Sequence, residues 1–138
     1  MNNRFKFRVW DKITNQYLQE LGIYYWHIPY SLDGEEITGE ANLVGLSELL
    51  KHDNFVTQQY TGLTDSNDKE IYEGDILKIH YDVGGDVIGQ VLYEADEGGY
   101  IFQWERKGPN QHHINLNCDV AFESVIIGNI FETPELLK

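Results

Sequence analysis

The chain opens on a period-two pattern. In Arg4-Phe5-Lys6-Phe7-Arg8-Val9-Trp10, Phe5, Phe7 and Val9 alternate with Arg4, Lys6 and Arg8. Successive strand residues point to opposite faces, so this predicts a half-buried strand with one apolar and one basic face. Asp11-Lys12-Ile13-Thr14-Asn15-Gln16 predicts a turn, because Asp and Asn side chains bond to nearby backbone. Tyr17-Leu18-Gln19-Glu20 is the expected return strand. Ile23-Tyr24-Tyr25-Trp26-His27-Ile28, aromatic and β-branched, predicts another strand that Pro29 ends. Residues 31–42 are rich in Asp, Glu and Gly and read as a hairpin tip or loop. Leu43, Leu46, Leu49 and Leu50 have helical spacing and predict a short helix over residues 43–50, although Gly45 counts against it.

From residue 55 onward the pattern is β. Phe55-Val56-Thr57-Gln58-Gln59-Tyr60 predicts a strand, and so does Ile76-Leu77-Lys78-Ile79-His80-Tyr81. Asp82-Val83-Gly84-Gly85-Asp86 is a turn whose glycines are free to take positive φ. In the next strand, residues 87–94, Gly89 is expected to mark a bulge. After the turn Ala95-Asp96-Glu97-Gly98-Gly99 comes an aromatic strand, Tyr100-Ile101-Phe102-Gln103-Trp104. Residues 106–117 are polar, contain Gly108-Pro109-Asn110 and predict a loop. Ser124-Val125-Ile126-Ile127-Gly128-Asn129-Ile130-Phe131 is almost continuously apolar, which predicts a strand buried on both faces or closing a barrel. Thr133 before Pro134 predicts an N-cap and a single helical or 3₁₀ turn at the end.

The most distinctive stretch runs from Tyr60-Thr61-Gly62-Leu63-Thr64-Asp65 through Tyr72-Glu73-Gly74-Asp75-Ile76-Leu77. Gly62 permits a tight bend, Asp65-Ser66-Asn67-Asp68 is a turn cluster, and Glu73-Gly74-Asp75 is a sharp turn feeding a strand. Chain geometry accounts for all of these residue types, so Tyr60, Gly62, Leu63, Asp65, Tyr72, Gly74 and Asp75 are read as architecture. The stretch resembles the YopX family of bacteriophage and prophage proteins. Phe7-Arg8-Val9-Trp10-Asp11 and Val125-Ile126-Ile127-Gly128-Asn129-Ile130-Phe131-Glu132-Thr133-Pro134-Glu135-Leu136 match it too, in the family's order and spacing. The family usually has Asn-Gly-Lys at Asn67-Asp68-Lys69, and Ala at Val9. Asp tolerates the left-handed conformation nearly as well as any non-Gly residue, so the turn is expected to persist. Residues 20–55 show no matching motif. The resemblance implies a C-terminal barrel similar to SH3-type barrels and a phage or prophage gene expressed in a bacterial cytoplasm. It supplies no activity and no catalytic residues.

The expected fold is therefore mainly β, a β-rich α+β chain. Residues 1–54 form an N-terminal β-rich portion with one short helix, residues 55–138 a small SH3-like barrel, and the two are expected to make one unit.

Composition narrows the function. The 138 residues include 23 acidic and 10 basic ones, a net charge of −13. This excludes nucleic-acid binding by phosphate coverage, which needs clustered Lys and Arg, and it disfavours an anionic membrane surface. Residues 70–138 carry 13 acids against 4 bases, and Arg4, Lys6 and Arg8 form the basic stripe. Cys118 is the single cysteine, which fits a reducing cytosol. Neither a signal peptide nor a membrane span is expected.

His80, His112, His113 and Cys118 lack the paired spacing of a zinc site, and Asp82 and Asp86 lack the ligand pattern of a calcium loop. Glu70, Glu73 and Asp75 have no evident nucleophile or perturbing partner. No catalytic residue, metal or cofactor is expected. Tyr24, Tyr25, Trp26, Tyr100, Phe102 and Trp104 are read first as core, with Trp26, Tyr100 and Trp104 as a possible interaction surface. The expected function is a non-enzymatic interaction or self-assembling module, with a protein partner or a second copy bound. Its rivals are an acidic DNA mimic or host-defence antagonist and, more weakly, a small metal-dependent hydrolase.

Overall fold

A computed structural model describes residues 5–22, 24–29, 42–105 and 111–138. Arg4, Ile23, nearly all of the acidic loop and Gly108-Pro109-Asn110 lie outside them. The chain divides into two units, Lys6–Gln58 and a larger one built on Gln59–Lys138.

In the smaller unit β1 (Phe7–Asp11) turns back into β2 (Gln16–Tyr17), pairing Trp10 with Tyr17. The turn is made by the buried Asp11. Its Oδ1 accepts the Ile13 N–H at 2.9 Å and its Oδ2 the Thr14 hydroxyl at 2.9 Å, while Asn15 takes φ +55°. The alternation expected of β1 holds only at its start, because Val9, Trp10 and Asp11 are all buried. Arg8 does not stand free as part of a basic stripe. Its Nε donates to Gln58 Oε1 at 2.7 Å, and its guanidinium lies 4.8 Å from the Tyr17 ring centre.

A second sheet follows with order β3-β4-β5: β3 (Gln19–Gly22), β4 (Tyr25–Ile28) and β5 (Asn42–Gly45). The helix predicted over residues 43–50 is corrected here. Leu43, Val44 and Gly45 pair with His27, Trp26 and Tyr25, so only α1 (Leu46–Leu49) is helical. Sheet pairing overrides a leucine spacing that Gly45 had already weakened. Leu43 and Leu50 are exposed and Leu49 is buried. The core gathers Val9, Trp26, Ile28, Leu49 and Phe55, edged by Phe7, Leu18, Val44 and Leu46.

The long strand β6 (Phe55–Thr64) begins in this unit and continues into the larger one. There it pairs with β7 (Glu70–Tyr72), with a register shift between Tyr60 and Thr64 around Gly62 at φ +86°. Next come β8 (Asp75–Tyr81), β9 (Gly85–Glu94), β10 (Gly99–Glu105), β11 (Gln111–Asn115), α2 (Cys118–Phe122) and β12 (Ser124–Asn129). They form an antiparallel sheet of order β11-β10-β9-β8-β12. The chain is mostly β, as expected, and this sheet is a curled half-barrel.

Gly84 and Gly85 make the β8–β9 turn at φ +101° and +80°. Gly89 does not mark a bulge, since the register runs unbroken from Ile76↔Gln90 to Tyr81↔Gly85. A Cβ there would collide with the Gln103 carbonyl oxygen and come within 2.8 Å of the Phe102 ring, so close approach is what requires glycine. The loop predicted at 106–117 contains β11. Lying at the end of the sheet order, β11 needs little apolar sequence, and its Ile114 packs against the core. The expectation for β12 is also corrected. It lies at the other end of the sheet, and Val125, Ile126 and Ile127 are half-buried. The terminal 3₁₀ turn Pro134–Leu137 forms as expected with Thr133 at its N-cap position, but the Thr133 side chain makes no capping hydrogen bond to it. Thr133 Oγ1 instead accepts the Asn129 N–H at 3.0 Å. The core of this unit is Ile71, Leu77, Ile79, Val91, Phe102, Leu116 and Ala121.

Candidate functional site

Asp65 lies at the end of β6 with 3% of its surface exposed. Its Oδ1 accepts the N–H groups of Asn67 and Lys69, each at 2.9 Å. Its Oδ2 accepts the Ile126 N–H on β12 at 3.0 Å. Between them, Ser66 N–H donates to the Ser124 carbonyl at 2.8 Å. Asp68 turns the chain back at φ +62°, in the left-handed region where short polar side chains are tolerated. Three N–H donors hold this carboxylate in place and tie the turn to β12.

The second turn is built similarly. Gly74 takes φ +86°, donates its N–H to the Val91 carbonyl at 2.8 Å and accepts the Ile130 N–H at 2.9 Å. Buried Asp75 accepts the Tyr72 N–H at 2.8 Å. The rings of Tyr60 and Tyr72 meet at 5.6 Å, and the Tyr72 hydroxyl donates to Glu70 at 3.3 Å. Leu63 packs on the core edge. The distinctive stretch thus ties the β7–β8 turn to β9 and the segment after β12. Of the carboxylates weighed for acid–base chemistry, Glu70 meets Tyr72 Oη, Asp75 accepts from the backbone, and Glu73 acts on Tyr100. Burial first, then the Glu73 charge, then Tyr93 hold the Tyr100 phenol above its ordinary value of 10.0.

The aromatics sort by strand alternation. Trp26 is 1% exposed in the core of the smaller unit, so it presents no surface; β4 turns it inward and Tyr25 outward. Tyr100 is half-buried, edge-on to Tyr93 at 5.4 Å. Trp104 stacks between Phe102 at 5.5 Å and His112 at 5.9 Å and lines a groove on the larger unit.

A second groove, of about 440 Å³, lies on the smaller unit between Phe7, Tyr24, Tyr25, Gly45, Leu46 and Ser47. Tyr24 stands at φ +63°, a genuine outlier for a bulky side chain. Its carbonyl accepts the Leu46 N–H at 3.1 Å, and its ring lies 6.1 Å from Phe7. The run Tyr24-Tyr25-Trp26 signals this aromatic wall in the sequence. What the sequence did not disclose is that Leu46 and Phe7 complete it, because that depends on β5 pairing with β4.

The titratable groups weighed for metal binding take separate partners. His80 Nδ1 lies 2.7 Å from Asp86 Oδ1, His113 Nε2 lies 3.3 Å from Glu97 Oε1, and His112 stacks on Trp104. Among the described residues no group of three His, Cys, Asp or Glu is placed to hold a metal ion. Likewise no helix among them is long and apolar enough to cross a membrane.

No curated protein matches the chain. Among solved structures it is similar to protein EF1440 from Enterococcus faecalis, with a TM-score of 0.59 and 23% identity over 96% of this chain and 97% of that one. At that identity the likeness concerns the fold alone. The family model described as YopX protein matches residues 6–138, and this includes all three segments that carried the resemblance. With a match over nearly its whole length, the chain belongs to the YopX family.

Proposed function

We propose that this chain is a non-enzymatic interaction module that binds another protein or a second copy of itself. The observation that carries the reading is the groove at Tyr24 and Tyr25. Backbone strain persists only where surrounding structure holds it, and it concentrates at functional positions. Here it presents two tyrosines, 38% and 49% exposed, beside Phe7 and Leu46. Tyr is enriched in protein interfaces because it covers large area at small cost in side-chain freedom. The setting that goes with this reading is a phage or prophage protein in a bacterial cytoplasm.

The test is affinity capture from bacterial lysate together with the solution mass of the purified chain. A retained protein or an oligomer is expected for the wild type and is lost in Tyr25→Ser. A monomer that retains nothing would overturn the reading. The charge of −13 favours one rival, an acidic mimic of DNA. Capture that collapses in excess duplex DNA would establish the mimic, and capture that persists supports the interaction module.

A further inference from the structure

The tip of the β8–β9 hairpin and β10 enclose another groove, of about 380 Å³, which the reading above does not use. Its walls include Tyr81, Val83, Asp86, Ile88 and Trp104. Val83 is 92% exposed, and Tyr81 and Ile88 are also open to water, so the apolar lining is presented outward. Trp104 is held in place by its stacking on Phe102 and His112. A ring fixed in this way loses little freedom when something binds beside it.

One charged group enters the groove. Asp86 Oδ1 meets His80, and no contact among the described residues takes up Oδ2. The hairpin tip itself carries the acids Asp82 and Asp86, and no Lys or Arg stands between residues 79 and 105. An anion is repelled there. A purely apolar segment would strip water from Asp86 without replacing it. A guanidinium satisfies both features: it is cationic and forks onto a carboxylate, and its weakly hydrated plane lies well against aromatic rings.

We propose that this groove binds an arginine side chain carried on an extended segment of a partner protein, with the guanidinium among Tyr81 and Trp104 and hydrogen-bonded to Asp86. The site is separate from the groove at Tyr24 and Tyr25.

The probe is a short fluorescent Gly-Ser peptide with one central arginine, titrated against the full chain and followed by anisotropy. A matched peptide carries citrulline, which keeps the shape and removes the charge. The arginine peptide is expected to bind saturably, and citrulline to weaken binding by about tenfold or more, as loss of a charged hydrogen bond does. Asp86→Asn is expected to weaken the arginine peptide by about the same factor. Asp53→Asn, an exposed acid of the smaller unit, should leave it unchanged. The Trp104 indole N–H resonance should shift during the titration. Equal binding of the two peptides, an Asp86→Asn variant that matches wild type, or no binding at all would each overturn the proposal. Tyr25→Ser should bind the peptide as wild type does, so failure of one groove is distinguishable from failure of the other.

Discussion

A carboxylate with three backbone N–H donors is hard to replace. In Asp65→Ala the N–H groups of Asn67, Lys69 and Ile126 lose their acceptor inside a part-buried turn. The expected loss is about 3 kcal/mol of unfolding free energy, read from the urea midpoint by circular dichroism. Asp65→Asn should recover only part of it, because an amide turns one acceptor into a donor facing an N–H. Tyr100 acts through ionisation. Its phenol is held above 10.0 in the fold, so the folded chain keeps this proton where the unfolded chain has begun to lose it. The resulting stability is complete below the unfolded value and is lost as pH rises through the folded one. Denaturation midpoints should therefore fall above about pH 10 in wild type, and fall less in Tyr100→Phe. The local chemistry of Asp65 and Asp75 was legible in the sequence, since turn carboxylates serve backbone N–H groups. That Asp65 also reaches Ile126 was not, because the contact spans 61 positions and depends on strand order.

Two glycines of one hairpin make a paired test at the scale of the element. Gly89 faces the Gln103 carbonyl and the Phe102 ring across β9 and β10, whereas a Cβ on Gly99 meets nothing within 4 Å. Gly89→Ala should destabilise by about 2–3 kcal/mol through forced separation of the strands. Gly99→Ala should stay within about 0.5 kcal/mol of wild type in the same thermal melt. Sequence pattern located most strands because alternation and turn residues act locally. Asn15, Gly84, Gly85 and Gly98 all take the positive φ their turns need. It misjudged elements whose conformation is decided by a neighbour. Leu43 and Val44 are a strand because β4 is beside them, and β11 is a strand because β10 is. Trp26, read first as core and also weighed as surface, is core, and the sequence left that open for the same kind of reason: which face of β4 is covered is set by Leu49 and Phe55, remote in sequence.

For the molecule as a whole, like charge opposes folding. A net of −13 on 138 residues is a self-repulsion that added salt screens, the Debye length falling from about 30 Å at ~10 mM to about 8 Å at ~150 mM. The melting temperature should rise by about 2–4 °C over that range, as ~1 kcal/mol does at this size. A flat response would mean that the acids are spaced widely enough to ignore one another. The exposed Cys118, at the start of α2, has a practical consequence. It is the chain's single thiol, so a nitroxide attached to it is carried once per chain. Any dipolar coupling between nitroxides then requires two chains, and self-assembly would be read as a distance distribution measured from one labelled position.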